Sequence, residues 1–191
     1  MTKQDMRIIK TKNALHHALL DILDEKLLED ISITEVCRTA NINRGTFYLH
    51  YAQIEDLFEE YFKEITGDLS RAYQEPYRFV SVLKVSKLNS STIRIFHHIQ
   101  KYERFYRIVF SKKVPLMYYY LLFEEINRLL LQEVEDPKTT EDINKQIQCA
   151  YQANAIIGII IEWYKSDFSY PADYLNDQLV KILNLSHRQP H

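Results

Sequence analysis

The chain has 191 residues, 46% of them apolar and 26% charged, with a formal net charge of −2. That balance fits a globular protein able to bury a core, and it excludes one that holds nucleic acid by bulk positive charge. Three Gly and five Pro are few turn residues for a sheet-rich chain of this length, so the expected class is all-α.

The most apolar window, 155–161, is seven residues, far short of the roughly 20 that span a membrane. With no secretory signal, a cytoplasmic protein without a membrane partner is expected. Cys37 and Cys149 each fall within helical patterns and read as buried thiols rather than a disulfide or metal pair. No metal or cofactor is expected. No internal repeat or low-complexity segment occurs.

In chain order, residues 1–6 read as a loose tail, followed by a helix from about Arg7 to Lys26. Leu15, Ala18, Leu19, Ile22 and Leu23 form its core stripe. Lys3, Arg7, Lys10 and Lys12 make its start positive, and Asp24, Glu25, Glu29 and Asp30 make its far end negative. Such a distribution favours phosphate at one end only.

Next comes Ser32–Tyr51, read as two short helices around a tight turn. Ser32 and Glu35 have the spacing of a capping box. Ile33, Val36, Cys37 and Ala40 then recur at helical spacing. Asn41-Ile42-Asn43 breaks the pattern, and Asn43 is placed to cap the second helix. That helix opens with Arg44, Gly45 and Thr46 and continues with Phe47, Tyr48, His50 and Tyr51. A helix-turn-helix head has this plan: the second helix presents its first residues to base edges.

Each residue has a chemical reason. Arg44 can bond a guanine edge bidentately. Gly45 permits close approach, and Thr46 offers a hydroxyl and a methyl. Tyr48 and His50 carry polar tips suited to phosphate oxygens, and Thr34 is a further phosphate candidate. Phe47 is assigned to the core, while Tyr51 either joins the DNA face or packs inward against the first helix.

A fourth helix runs from about Glu55 to Gln74, with Leu57, Phe58, Tyr61, Phe62, Ile65 and Leu69 on one side. Residues 75–90 read as a loop or distorted helix. Helical periodicity returns at Ser91–Gln100, Glu103–Phe110 and Pro115–Glu133. A long helix capped by Thr139 or Thr140 runs to about Lys165. A final helix begins near Pro171 and carries Leu175, Leu179, Ile182 and Leu183, and the tail from His187 reads as disordered. About nine helices result.

Asn43-Arg44-Gly45-Thr46-Phe47-Tyr48-Leu49-His50-Tyr51 resembles the recognition helix of the TetR family of bacterial transcription regulators. The run Ile159-Ile160-Ile161-Glu162-Trp163-Tyr164, followed by Pro171 and an amphipathic helix, resembles the C-terminal domain of a Firmicutes-type subgroup of that family. The resemblance implies a DNA-binding domain over 7–55 with its reading head at 32–51, and a regulatory and dimerisation domain over 56–186. It further implies a homodimeric, sequence-specific regulator of double-stranded DNA that answers to a small-molecule effector. A repressor is expected only because repression needs no polymerase contact, and the sequence itself does not separate repressor from activator. DNA-binding candidates are then Thr34, Asn43, Arg44, Gly45, Thr46, Tyr48, His50 and Tyr51. One departure is Ile54, where the family often has a phosphate-binding Lys; either affinity is lower here or Lys10 and Lys12 compensate.

The aromatic density of residues 96–123 suggests an effector pocket of Phe62, Phe96, His97, Phe105, Tyr106, Tyr119 and Phe123. The long helix has two apolar stripes. One, with Ala153, Ile156, Ile160 and Trp163, is assigned with Leu175, Leu179 and Ile182 to a four-helix dimer interface. No Gly-rich phosphate loop, HExxH or GxSxG motif occurs, so no catalytic residue is expected. The competing reading is a helical interaction module or activator co-factor without direct effector binding.

Overall fold

A computed structural model describes residues 3–75, 89–132 and 143–185. Among these residues there are nine α-helices and no strand: α1 (Lys3–Leu23), α2 (Ile33–Thr39), α3 (Arg44–Tyr48), α4 (Ile54–Gln74), α5 (Ile95–Lys101), α6 (Glu103–Phe110), α7 (Met117–Leu131), α8 (Lys145–Lys165) and α9 (Ala172–Leu185). The all-α class read from the sequence is the class observed. Single 3₁₀ turns stand at Leu28–Asp30 and Ser90–Thr92. Most of the expected 75–90 loop, the cap at Thr139 or Thr140 and the tail from His187 lie outside the described residues.

Some boundaries differ from the sequence reading. Lys3–Met6 are helical rather than a tail, and α1 ends at Leu23. α5 begins only at Ile95, after the 3₁₀ turn. The cap of α8 is Asn144, whose Oδ1 accepts the Ile147 N–H at 3.2 Å.

The chain folds as two compact units, Met1–Ile65 with Arg107–Tyr118, and Thr66–Tyr106 with Tyr119–His191. In the first, α1 packs on α2 and α2 on α3. The α1 stripe Leu15, Ala18, Leu19, Ile22 and Leu23 is buried, as are Val36 and Cys37 of α2 and Ile54, Leu57, Phe58 and Phe62 of α4. Tyr118 closes this core edge-on to Phe58, with ring centroids 4.6 Å apart. The Lys113 carbonyl accepts the Leu28 N–H at 2.8 Å, and the Lys113 ammonium donates to the Asp24 carbonyl.

In the second unit α5 packs on α9. Phe96, Ile99, Phe105, Tyr106, Leu122, Ile126, Ala153, Ile157, Ile160, Trp163 and Leu175 form its core. The end of α8 is a Schellman closure. Phe168 N–H bonds to Trp163 O at 2.8 Å and Asp167 N–H to Tyr164 O at 3.0 Å, with both closing residues at positive φ. Phe168 meets Trp163 edge-on with ring centroids 5.1 Å apart, and the indole N–H donates to Tyr170 O at 3.0 Å.

This burial corrects the assignment of α8. Ala153, Ile160, Trp163 and Leu175 are inside their own unit and cannot be a partner-facing surface. Ile156 and Leu179 are half-buried, and Ile182 alone of the assigned set is exposed. The outward stripe of α8 is instead Ile147, Tyr151, Ala155 and Gly158, with Ile147 70% and Tyr151 74% exposed.

Two buried histidines are held neutral. In the second unit, His98 Nδ1 lies 3.2 Å from Asp68 and Nε2 3.0 Å from the Tyr106 hydroxyl. An ionised Asp only accepts, so the proton sits on Nδ1 and Nε2 accepts from Tyr106. Burial outweighs the Asp68 bond and lowers His98 from 6.5 to about 4. Burial by itself would raise Asp68, yet hydrogen bonds from Arg71, Lys101 and His98 bring it down to about 2. In the first unit, His16 packs on Tyr61 with centroids 4.9 Å apart, and burial lowers it to about 4 against the pull of Glu60.

An unfolded chain therefore takes up protons on both histidines below pH 6.5 that the folded one refuses until about pH 4. Stability falls with pH across that window, by about 2 kcal/mol per histidine between pH 7 and pH 5. Urea denaturation at the two pH values checks this. His98→Gln, though less stable at pH 7, is expected to show a shallower slope; equal slopes would contradict the assignment.

Candidate nucleic-acid interface

The reading head is built by local capping. Ser32 is the N-cap of α2, and its Oγ accepts the Glu35 N–H at 3.2 Å. The return half of the expected capping box is not made, because the Glu35 carboxylate accepts from Lys26 at 2.7 Å. Helix α2 ends in a second Schellman closure: Ile42 N–H bonds to Cys37 O at 2.9 Å and Asn41 N–H to Arg38 O at 3.2 Å. Asn41 occupies the left-handed position, φ 55°, which Asn adopts more readily than other side-chain-bearing residues. The turn to α3 follows directly.

Asn43 is the N-cap of α3 by position, but its side chain makes no capping bond. The helix is held by backbone bonds from Thr46 and Phe47 to Asn43 O, at 2.9 and 3.2 Å. Its inner side is aromatic. Phe47 is fully buried, Tyr51 is buried just beyond the helix end, and their centroids are 5.5 Å apart. Its outer side carries Arg44, Gly45, Tyr48 and Leu49, with Leu49 79% exposed. A Cβ on Gly45 would meet nothing within 4 Å.

Of the residues expected to touch DNA, Thr34, Asn43, Arg44, Gly45 and Tyr48 are exposed, while Thr46 and His50 are half-buried. Arg44 and Tyr48 already engage each other. A guanidinium N–H donates to the Tyr48 hydroxyl at 3.3 Å, and the guanidinium lies over the ring at 5.9 Å.

Tyr51 is the correction. It is buried, and its hydroxyl donates to Glu60, so it supports the head from behind. Burial and the carboxylate push its phenol well above the usual value. Of the two expected substitutes for a cation at Ile54, Lys12 is engaged, donating to Glu60 at 2.5 Å, and Lys10 is exposed. Ile54 itself is buried.

Asp56 and Glu60 are structural supports of the head that were not expected from the sequence. Asp56 Oδ2 accepts the N–H groups of Ala52 and Gln53 at 2.9 and 3.2 Å, the return half of a capping box on α4. Gln53 and Asp56, three apart before an apolar run, were the signal. Nothing local marks Glu60, because its partners lie nine and 48 residues away.

The expected effector residues are dispersed. Phe62 belongs to the first unit, against Tyr118 at 5.4 Å. In the second unit, Phe96, Phe105 and Tyr106 are fully buried in edge-on contacts, Phe105 with Tyr106 at 5.3 Å and Phe96 with Trp163 at 6.1 Å. His97, Tyr119 and Phe123 keep partial exposure. His98, not His97, faces Tyr106; His97 lies 3.1 Å from Asp173. Both cysteines are buried thiols, and burial raises the Cys37 thiol away from reactivity.

Capped α2, tight turn and outward-facing α3 define a helix-turn-helix transcription regulator. Residues 86–185, just over half the chain, match the TetR-type family model "Transcriptional regulator C-terminal region"; the chain belongs to the TetR family. YxbF of Bacillus subtilis (strain 168), an uncharacterized HTH-type transcriptional regulator, is 45% identical over 56 residues, 29% of this chain and only 15% of YxbF. DhaS of Lactococcus lactis subsp. lactis (strain IL1403), the HTH-type dhaKLM operon transcriptional activator, is 24% identical over 161 residues, 81% of this chain and 79% of DhaS. The solved dihydroxyacetone kinase operon activator DhaS shares the fold at TM-score 0.64 and 20% identity, covering 92% of this chain and 95% of that one. A TetR transcriptional regulator from Streptococcus agalactiae 2603V does so at 0.63 and 21%, covering 94% and 97%. Among the described residues no helix is long and apolar enough to cross a membrane.

The left-handed position at Asn41 gives a stability prediction. Asn41→Gly should be tolerated, whereas Asn41→Val should cost about 1–2 kcal/mol, read as a lower thermal midpoint. Equal midpoints for the two variants would contradict the closure.

Proposed function

We propose that this regulator binds a pseudo-palindromic operator as a homodimer, reading bases with the outer side of α3. The observation that carries this is the side-chain division on α3. Phe47 faces inward with Tyr51 behind it, while Arg44, Gly45 and Tyr48 are exposed on the outer side. Arg44 supplies the base contact, Tyr48, His50 and Thr34 bond phosphates, and Thr46 meets a base edge.

A second copy is proposed to dock on the outward stripe of α8, Ile147, Tyr151, Ala155 and Gly158. Tyr174, Ile182 and Leu185 of α9, all exposed, are proposed as further partner contacts. Open space around Gly158 admits a partner helix closely. A small-molecule effector is proposed to act through the second unit, where Tyr119, Phe123 and His97 are accessible.

The regulatory sign has two readings. Repression requires only that the operator overlap the promoter. Activation is favoured by the match to DhaS, described as an operon activator, over four-fifths of this chain.

Electrophoretic shift on DNA flanking the chain's own gene tests the reading head. Arg44→Ala should lose about 1–3 kcal/mol of discrimination between operator and random DNA, and Thr46→Ala a smaller amount, with the helical circular dichroism unchanged. Undiminished discrimination in both would show the wrong surface. Sedimentation tests the dimer: wild type should be dimeric at micromolar concentration, and Tyr151→Glu with Gly158→Glu should be monomeric. A monomeric wild type would sink it.

A further inference from the structure

The back of the reading head is joined to the rest of the first unit by a polar contact rather than by apolar packing alone. Tyr51, directly behind α3, donates its hydroxyl to Glu60 Oε2. Lys12 of α1 donates to Glu60 Oε1 at 2.5 Å, and its ammonium lies 5.6 Å from the centre of the Tyr51 ring. One turn earlier on α4, Asp56 holds the next two residues, accepting from the N–H groups of Ala52 and Gln53. Asp56 and Glu60 are four apart and therefore share a face of α4. That face takes hold of three consecutive residues, 51 to 53, where the chain leaves the reading helix.

We propose that Glu60 is a positioning residue for DNA recognition: its carboxylate clamps Tyr51 to α1 and α4, and so sets the orientation of the outer side of α3. This deepens the proposed DNA reading and rests on it. Phe47 and the Tyr51 ring supply burial, which is non-directional. A hydrogen bond to a carboxylate is directional and short, so it selects one tilt of the helix among those that burial permits. The same bonds, from Lys12 and Tyr51, hold the Glu60 carboxyl below its usual range against the opposing effect of burial. The carboxylate therefore stays ionised at neutral pH. Lys12 balances its charge, so the joint presents no net charge to a phosphate backbone, and it has no part in counterion release.

The test uses the full-length protein and the tightest duplex recovered from a random-sequence pool. Affinity is measured at 10 °C, over a salt series, for wild type, Tyr51→Phe, Glu60→Gln, Glu60→Leu and the double variant Tyr51→Phe/Glu60→Leu. Tyr51→Phe keeps the ring and removes only the hydroxyl. We expect Tyr51→Phe and Glu60→Leu each to weaken binding about tenfold, the equilibrium effect of a hydrogen bond to a charged group. The double variant should be no weaker than the worse single, and Glu60→Gln, which retains an acceptor, should be intermediate. The slope of log affinity against log salt should stay that of wild type, since no phosphate contact is lost.

Wild-type affinity in Tyr51→Phe and Glu60→Leu would overturn the proposal. So would losses that add in the double variant, or a salt slope shallower by about one ion. If Glu60→Leu is unfolded at 10 °C by circular dichroism, the Tyr51→Phe and Glu60→Gln pair decides by the same criteria. Failure of the underlying DNA reading looks different: no duplex is recovered, or Arg44→Ala binds as wild type does.

Discussion

A helix of five residues has no stability of its own, because nucleation costs more than one turn returns. α3 exists as a helix only because Phe47 is buried beneath it and Tyr51 is held behind it. Every feature of the reading head depends on that docking. The Schellman closure at Asn41 brings the chain round, the backbone of Asn43 accepts the first helical bonds, and the buried rings turn Arg44 and Tyr48 outward. The exposed side is thus a consequence of what the inner side must bury. Arg44 is further restrained by its contact with Tyr48, which would reduce the side-chain freedom lost in the proposed base contact.

The two units hold their polar groups in similar ways. In the first, Glu60 gathers Lys12 and Tyr51; in the second, Asp68 gathers Arg71, His98 and Lys101. Both carboxylates lie on α4, and both draw partners from other helices into a directional contact. Apolar packing alone tolerates sliding of one helix on another. A shared carboxylate does not, because displacement leaves a half-buried charge without its donors. These clusters explain why a chain whose helices are mostly ordinary amphipathic segments adopts defined helix placements.

Much of the fold was legible in the sequence because its signals are local. The Ser32 cap, the Asn41 turn and the apolar stripes of α1 and α4 each follow from spacing within a few residues. The burial of Phe47 followed from the same periodicity. What escaped was decided between distant segments. Glu35 left the capping box because Lys26 competes for it, and Tyr51 faced inward because Glu60 waits there. On α8 both faces are apolar, and periodicity cannot say which one its own unit will cover. Trp163 settles it: the largest side chain went inward, with its N–H on the Tyr170 carbonyl, and left Ile147 and Tyr151 outside. The aromatic run from Phe96 to Phe123 was read as a pocket lining, because aromatic density is the same for a pocket and for a core; Phe96, Phe105 and Tyr106 are fully buried.

In the proposed complex, two copies of α3 read DNA together. The most direct measurement is selection of bound sequences from a random double-stranded pool by the intact protein. An inverted repeat is expected, its half-sites centred about 34–36 Å apart or a multiple of that, with a G·C pair in each half-site that loses enrichment in Arg44→Ala. Enrichment of an unpaired site, or of the same repeat by Arg44→Ala, would contradict it.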